Sequence, residues 1–260
     1  MQEKFKIQTR KIQFPGFSGA QLAASLDFPV SVTPRQYVIV SHCFTCTKQT
    51  LTTARLSRGL AQAGYGVLRF DFGGLGGSEG EFANTHFRSM VQDIKCAANW
   101  LASYYEPASC LIGHSMGGTA SLAAACDGGE SLAHLKSVVT LASPAEPAHV
   151  LHHFGGAMQK LLKGENAEIS VAGRNYPVNP GFVKDVQSYD MAAQMQACEM
   201  PLLAIRAGSD ELIGPQSAEQ IQTYSKGVTA LYQVDNADHL FSDRNHAQQL
   251  LSKVLNWLES

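Results

Sequence analysis

With 260 residues, 45% of them hydrophobic, the chain has enough apolar material for one domain with a full core or for two small ones. Its 20 Lys and Arg against 22 Asp and Glu leave a formal charge of -2, which excludes a polybasic nucleic-acid footprint and a strongly acidic tail, and points to a neutral or modestly charged small-molecule partner. The charged N-terminus MQEKFKIQTRKIQFPGF lacks the apolar run that a leader needs, and no segment is apolar for long enough to span a bilayer, so neither is expected. Cytoplasmic residence is therefore expected, with Cys43, Cys46, Cys96, Cys110, Cys126 and Cys198 as free thiols.

A pair of extended segments opens the chain. Short apolar runs then alternate with longer helical patterns: YVIVS, GVLRFDF, SCLIGH, SVVTLAS, PLLAIRAG and TALYQVD. That alternation marks parallel βα units, and each run reads as a strand buried on both faces. The first strand runs into SHCFTCTKQT, whose histidine and C-x-x-C spacing are compatible with a redox centre, half a zinc site or an active-site rim. The redox reading needs a thioredoxin-like context and the zinc reading a second ligand pair, and neither is evident.

After GVLRFDF the glycine-rich DFGGLGGSEG lacks the G-K-[ST] ending of a phosphate loop, and is read as a tight loop bordering the pocket. Phe87, Val91, Ile94, Ala98 and Leu101 then recur at steps of four and three, predicting a helix capped by Asn84 or Thr85.

LIGHSMGG, Leu111 to Gly118, carries the strongest signal. G-x-S-x-G falls where a buried strand ends and a helix of small residues, TASLAAA, begins. So sharp a turn strains the serine backbone, and Gly113 and Gly117 leave the room it needs. Ser115 would stand above the C-terminal edge of the sheet, with His114 beside it and the Met116 amide facing a developing oxyanion.

Between SVVTLAS and PLLAIRAG an insertion of about residues 144–189 breaks the rhythm. PAHVLHHFGGAMQKLLKG reads as a helix and AEISVAGRNYPVNPGF as a hairpin turning near Gly173-Arg174-Asn175, together the shape of a small lid. Leu151, Phe154, Met158 and Leu161 form one face that lines an acyl pocket or packs the lid on the core. His149, His152 and His153 lack a partner cluster for a metal and read as lid surface.

A serine hydroxyl needs a base, and the base an orienting acid. AGSDELIG ends a strand with Asp210 and VDNADHLF ends the next with His239, giving Ser, Asp, His in chain order at strand C-terminal ends. Asp235 and Asp238 are rival acids in the histidine's own loop, where Asp238 is expected to solvate that loop. A last helix, capped by Ser242, turns Ala247, Leu250, Leu251, Val254, Trp257 and Leu258 inward.

GHSMGG, RFDFGGLGGSEG, AGSDELIG and NADHLF resemble the elbow, the loop after the fourth strand, the acid loop and the histidine loop of the α/β-hydrolase superfamily. HCFTCTKQ with LRFDFGGLGGSEGEFANT is similar to the hydrolase half of bacterial proteins that fuse this fold to an OsmC-like domain, although this sequence stops at Ser260 without an OsmC-like half. The resemblance implies an α/β-hydrolase fold, a mostly parallel central sheet flanked by helices in a single domain 1–260. It also implies Ser115 as nucleophile, His239 as base and Asp210 as orienting acid. By position the Phe44 amide is the second oxyanion donor, with His42 bracing its loop. Cys43 departs from the glycine usual there and tolerates positive φ less well.

The expected activity is a serine carboxylesterase for short- to medium-chain esters working through an acyl-enzyme, with no cofactor and no metal. Thioesters or lactones would use the same triad. Two other classes stand beside it: a thiol-redox protein using Cys43 and Cys46, and a non-catalytic binding protein on the same fold. Beyond the ester, the partner expectations are a homodimer and an OsmC-like protein acting in trans, with no nucleic acid or membrane.

Overall fold

The computed structural model describes residues 4–260; Met1–Glu3, the start of the segment weighed as a leader, lie outside the described residues. Ten strands are present: β1 (Ile7–Pro15), β2 (Gln21–Pro29), β3 (Tyr37–Ser41), β4 (Gly66–Phe70), β5 (Ala108–His114), β6 (Ser137–Leu141), β7 (Ala167–Val171), β8 (Arg174–Val178), β9 (Leu202–Ala207) and β10 (Thr229–Val234). The helices are α1 (Leu51–Gln62), α2 (Phe87–Tyr104), α3 (Met116–Asp127), α4 (Ala157–Leu162), α5 (Pro180–Gln187), α6 (Met191–Gln196), α7 (Gln216–Tyr224) and α8 (Arg244–Leu258).

Eight strands form one sheet in the order β1-β2-β4-β3-β5-β6-β9-β10, and β7 pairs with β8 outside it. From β4 to β10 all neighbours are parallel, while β1 and β2 close one edge antiparallel. This is the mostly parallel, helix-flanked sheet of an α/β-hydrolase fold. The chain runs from β3 outward to β4, then back across to β5 on the other side of β3. The crevice beyond the C-terminal ends of β3 and β5 is therefore the switch point at which open α/β sheets bind ligands.

Strand alternation divides the core between the two faces. Val38 and Val40 of β3 join Leu56 and Leu60 of α1 and Leu250 and Val254 of α8 on one face. Tyr37 and Ile39 turn to the other, with Phe87, Ile94 and Leu101 of α2 and Leu122 of α3. Each such side chain contributes about 1.5–3 kcal/mol by leaving water. Strand β10 departs from the expected double burial: it is the sheet edge, so Leu231 and Gln233 stay exposed.

Both helix caps shift from the expected residues, for identifiable reasons. Thr85 Oγ1 donates to the Phe82 carbonyl at 2.7 Å, and Asn84 ends a short 3-10 turn. The start of α2 falls to His86, whose amide donates to Ser89 Oγ at 2.9 Å. Ser242 gives its amide and hydroxyl to Asp238, so Asp243 caps α8, accepting from the Asn245 amide at 2.7 Å. Asp238 thus serves its own loop, as expected.

One buried charge pair, unremarked among the apolar letters of GVLRFDF, ties β4 to β2. Arg69 Nε donates to Asp27 Oδ2 at 2.8 Å, with both side chains almost fully enclosed. Ser57 and Thr9 hydroxyls donate to the same carboxylate, each at 2.5 Å. Burial pushes the Asp27 carboxyl up, but these hydrogen bonds outweigh it and hold the group below its usual range. No helix among the described residues is long and apolar enough to cross a membrane.

Candidate active site

The link from β5 to α3 places Ser115 at φ 53 and ψ −129, with its amide donating to the Leu141 carbonyl at 2.8 Å. Such a conformation is costly for a non-glycine residue and persists only where neighbours impose it. The neighbours are glycines. A Cβ on Gly113 would lie 2.2 Å from the Gly117 carbonyl oxygen, and one on Gly117 would lie 2.2 Å from that of His42. The second contact puts the elbow directly against the loop after β3.

That loop is braced from inside. His42 is fully buried; its Nδ1 donates to the Cys43 carbonyl at 2.8 Å, and its Nε2 accepts the Phe72 amide at 3.2 Å. Accepting that amide requires the neutral ring, and burial pushes its pKa down to about 4. The left-handed residue is Thr45, at φ 59, so Cys43 does not carry the backbone strain expected of it. Asp71 accepts from the amides of Lys48 and Gly77, at 2.6 and 2.9 Å, and from Lys48 Nζ. The glycine-rich loop therefore supports this turn from behind; it does not line the cavity.

Cys43 and Cys46 correct a second expectation: they form a disulfide, leaving Cys96, Cys110, Cys126 and Cys198 free. A bridge across two intervening residues needs the tight turn that the sequence did not announce. It also connects residues of one loop, with no bearing on the rest of the core.

His239 Nδ1 donates to Asp210 Oδ2 at 2.8 Å, which leaves Nε2 with its lone pair. Asp210 Oδ1 accepts the amides of Leu212 and Ile213, both at 2.9 Å. Burial raises the Asp210 pKa, but the His239 hydrogen bond and charge and those two amides outweigh it and leave the carboxyl lowered. Asp235 is occupied by Gln233 instead. His114, fully buried, donates from Nε2 to the His239 carbonyl at 2.8 Å and so holds the histidine loop. Burial first, then the His239 ring, pushes His114 down to about 3.

Ser115, Met116, Phe44, Cys43, Cys46 and His239 line one cavity of about 810 Å³. Among the described residues Ser115 and His239 line the same cavity with no hydrogen bond between them. Neither the Phe44 nor the Met116 amide donates to another backbone group there.

The insertion supplies the outer wall, but through other side chains than expected. Pro147–Phe154 is a 3-10 helix, separated from α4 by Gly155 and Gly156, because glycine at φ 43 ends the first turn. Phe154 and Leu161 are buried in the core cluster, with Leu151 and Met158 packed against it, so none of the four faces the cavity. His149, Val150, His152 and His153 face it instead, together with Val171, Ala172, Arg174 and Tyr176 of the hairpin. The histidines thus form part of the cavity wall as well as surface, with the His152 and His153 rings 3.8 Å apart. The hairpin turns at Ala172 and Gly173, φ 51 and 75, one residue earlier than expected, which places Arg174 and Asn175 within β8. No group of three His, Cys, Asp or Glu among the described residues has metal-ligand geometry.

His42 and His114 imply an acid-labile fold. The unfolded chain takes up their protons near the usual histidine value of about 6.5, whereas the folded chain resists until about 4 and about 3. More protons are bound by the unfolded state in that window, so stability falls as pH falls from about 6.5 towards 4. The lowered carboxyls of Asp27 and Asp210 add loss in the same direction at lower pH. Urea unfolding between pH 4 and 8 is expected to show a positive slope of stability with pH, reduced in His42→Gln; a flat profile would contradict neutral buried rings.

Residues 32–179 match the family model described as serine aminopeptidase, S33. Among solved structures, the esterase domain of a Rhodothermus marinus protein is 30% identical, with a TM-score of 0.76 over 96% of this chain and 97% of that one. Est1E from Butyrivibrio proteoclasticus, solved with ferulic acid bound, shares the fold at 17% identity, with a TM-score of 0.77 over 95% and 98%. XC6422 from Xanthomonas campestris, an α/β serine hydrolase without a lid, does so at 19% identity and a TM-score of 0.65 over 97% and 94%. No curated protein sequence matches. Fold, strand-end chemistry and family model agree: the chain belongs to the serine aminopeptidase, S33, family of α/β serine hydrolases.

Proposed function

We propose that the protein is a serine carboxylesterase that hydrolyses short- to medium-chain esters through an acyl-enzyme. The observation that carries this reading is the 2.8 Å His239–Asp210 hydrogen bond in the cavity that also presents Ser115 on its strained elbow. In the mechanism Ser115 Oγ attacks the carbonyl carbon as His239 Nε2 takes its proton. The Phe44 and Met116 amides bind the oxyanion, and His239 returns the proton to the leaving alcohol. Water then repeats the sequence on the acyl-enzyme. Asp210 holds the imidazole tautomer and offsets its positive charge.

The esterase domain at 30% identity supports ester over peptide. The cavity volume lies within the range of small-ligand pockets, on the order of 300–1,000 Å³. The insertion acts as a small lid, its His149–His153 turn and hairpin enclosing a short or medium acyl chain. The reading retains cytoplasmic residence, and thioesters and lactones fall within reach of the same residues.

The test is fluorophosphonate labelling with intact-mass detection on wild type and Ser115→Ala, beside a p-nitrophenyl ester chain-length series. Labelling of wild type alone, with turnover highest for short or medium chains, is expected. Turnover of aminoacyl p-nitroanilides without ester turnover would move the reading to the peptidase of the family description.

A further inference from the structure

The Cys43–Cys46 bridge lies where the chain leaves β3 for α1, and both cysteines line the cavity that holds Ser115. Their Cα atoms are 5.3 Å apart, and the Cys46 amide also donates to the Cys43 carbonyl at 3.1 Å, so the bridge closes a single tight turn. Inside that turn are Phe44, whose amide is the second oxyanion donor above, and Thr45, held in the left-handed region.

A threonine stays there only while its surroundings compel it. Five contacts do so: the bridge, the Cys46 to Cys43 backbone bond, the Tyr176 hydroxyl donating to the Thr45 carbonyl at 3.0 Å, the Thr45 hydroxyl donating to the Phe44 carbonyl at 2.7 Å, and His42 Nδ1 donating to the Cys43 carbonyl at 2.8 Å. Only the first can be cut by chemistry. The Phe44 ring is anchored separately, 5.6 Å from Phe82 and 5.5 Å from Phe182, so releasing the bridge lets the peptide unit turn while the side chain stays.

We propose that Cys43 and Cys46 form a thiol–disulfide exchange site that sets the hydrolytic rate by holding or releasing the Phe44 amide. The proposal rests on the oxyanion role given to that amide. Cys46 is half-buried and Cys43 is 5% exposed, which makes Cys46 the more exposed residue of the two and the one taken as the point of attack. The reductant is a dithiol, either a small molecule or a C-x-x-C protein. Its thiolate attacks the Cys46 sulfur, forming a mixed disulfide and expelling Cys43 as a thiolate. The reductant's second thiol passes its proton to Cys43 and attacks its own half of the mixed disulfide. Cys46 leaves as a thiolate and is protonated by water, and the reductant departs as a disulfide. Two electrons and two protons have entered the chain, and oxidation reverses them. None of the other four cysteines lines the cavity.

The experiment measures kcat and KM for a p-nitrophenyl ester on protein equilibrated with oxidised or reduced dithiothreitol, with thiols counted by alkylation and intact mass after denaturation. Four alkylated cysteines are expected in the oxidised protein and six in the reduced one. The reduced form is expected to lose roughly tenfold in kcat with little change in KM, below the 10²–10³-fold cost of deleting an oxyanion donor outright. Cys43→Ala/Cys46→Ala should run at the reduced rate and ignore the reductant, with Cys46→Ser as substitute if the double variant fails to fold. Cys126→Ser should keep the full response. Equal kcat in forms differing by two thiols would overturn the switch, as would six alkylated cysteines in the oxidised protein. Fluorophosphonate labelling separates the two readings: no labelling of Ser115 in either form removes the hydrolase mechanism itself, whereas labelling with equal kcat removes only the switch.

Discussion

Ser115→Ala is expected to lower kcat for ester hydrolysis by about 10⁶-fold, and Asp210→Asn by about 10⁴-fold, with KM changed little in both. The two losses differ because the residues act at different removes from the reacting carbon. In the proposed mechanism no acyl-enzyme forms without Ser115 Oγ, and only the proposed oxyanion amides and the cavity remain. In Asp210→Asn the serine is still present, but the new side-chain amide can donate to His239 Nδ1 and stabilise the tautomer whose Nε2 carries a proton. That histidine cannot accept from Ser115.

Combining Ser115→Ala with His239→Ala is expected to cost no more than Ser115→Ala alone, since a base without a nucleophile has nothing to deprotonate. Steady-state kinetics on the three variants tests this directly. Additive losses would mean that His239 works on something other than Ser115.

Arg69→Met is the stability counterpart. It leaves the Asp27 carboxylate enclosed with only the Ser57 and Thr9 hydroxyls for company, and breaking a buried pair from one side costs roughly 3–5 kcal/mol. For a chain of this length the melting temperature should fall by about 10 °C. Arg69→Met/Asp27→Leu removes both charges and is expected to regain most of the loss. Urea unfolding at pH 7 on the two variants decides it, because equal destabilisation by single and double changes would point to lost packing alone. Arg69 also donates from its terminal nitrogen to the Lys48 carbonyl at 2.8 Å. Its removal therefore loosens the segment that follows the disulfide, and kcat in Arg69→Met should fall further than its folded fraction accounts for.

The core strands and the elbow are legible in the sequence because both rest on local chemistry, whereas the order of the strands across the sheet comes from the structure. Runs such as YVIVS announce burial by their own letters, and Gly113 and Gly117 are required by clashes with backbone a few ångströms away. Asp210 and His239 are legible by position, each in the loop just past the C-terminal end of a strand. What the sequence does not show depends on contacts distant in the chain. Leu151, Phe154 and Met158 carry helical spacing, but which side of that stripe meets the core is set by α5 and the hairpin, so the cavity received the histidines instead. The caps of α2 and α8 moved for a smaller reason: Thr85 and Ser242 had their hydroxyls claimed by neighbours. Asp27 and Arg69 stand 42 residues apart, and nothing in either strand's composition pairs them.

The contact between Gly117 and the His42 carbonyl has a consequence for how this scaffold can change. The Ser115 turn and the turn after β3 touch backbone to backbone, with no side chain between them to absorb a difference. A substitution at either turn is therefore expected to disturb both. The outer wall meets the cavity floor through single side chains instead, such as the Tyr176 hydroxyl on the Thr45 carbonyl and the Phe182 ring beside Phe44, which can be exchanged one at a time. Altered selectivity in this lineage, whether by natural divergence or in the laboratory, should accumulate between Pro147 and Val178 while the floor of the cavity stays fixed.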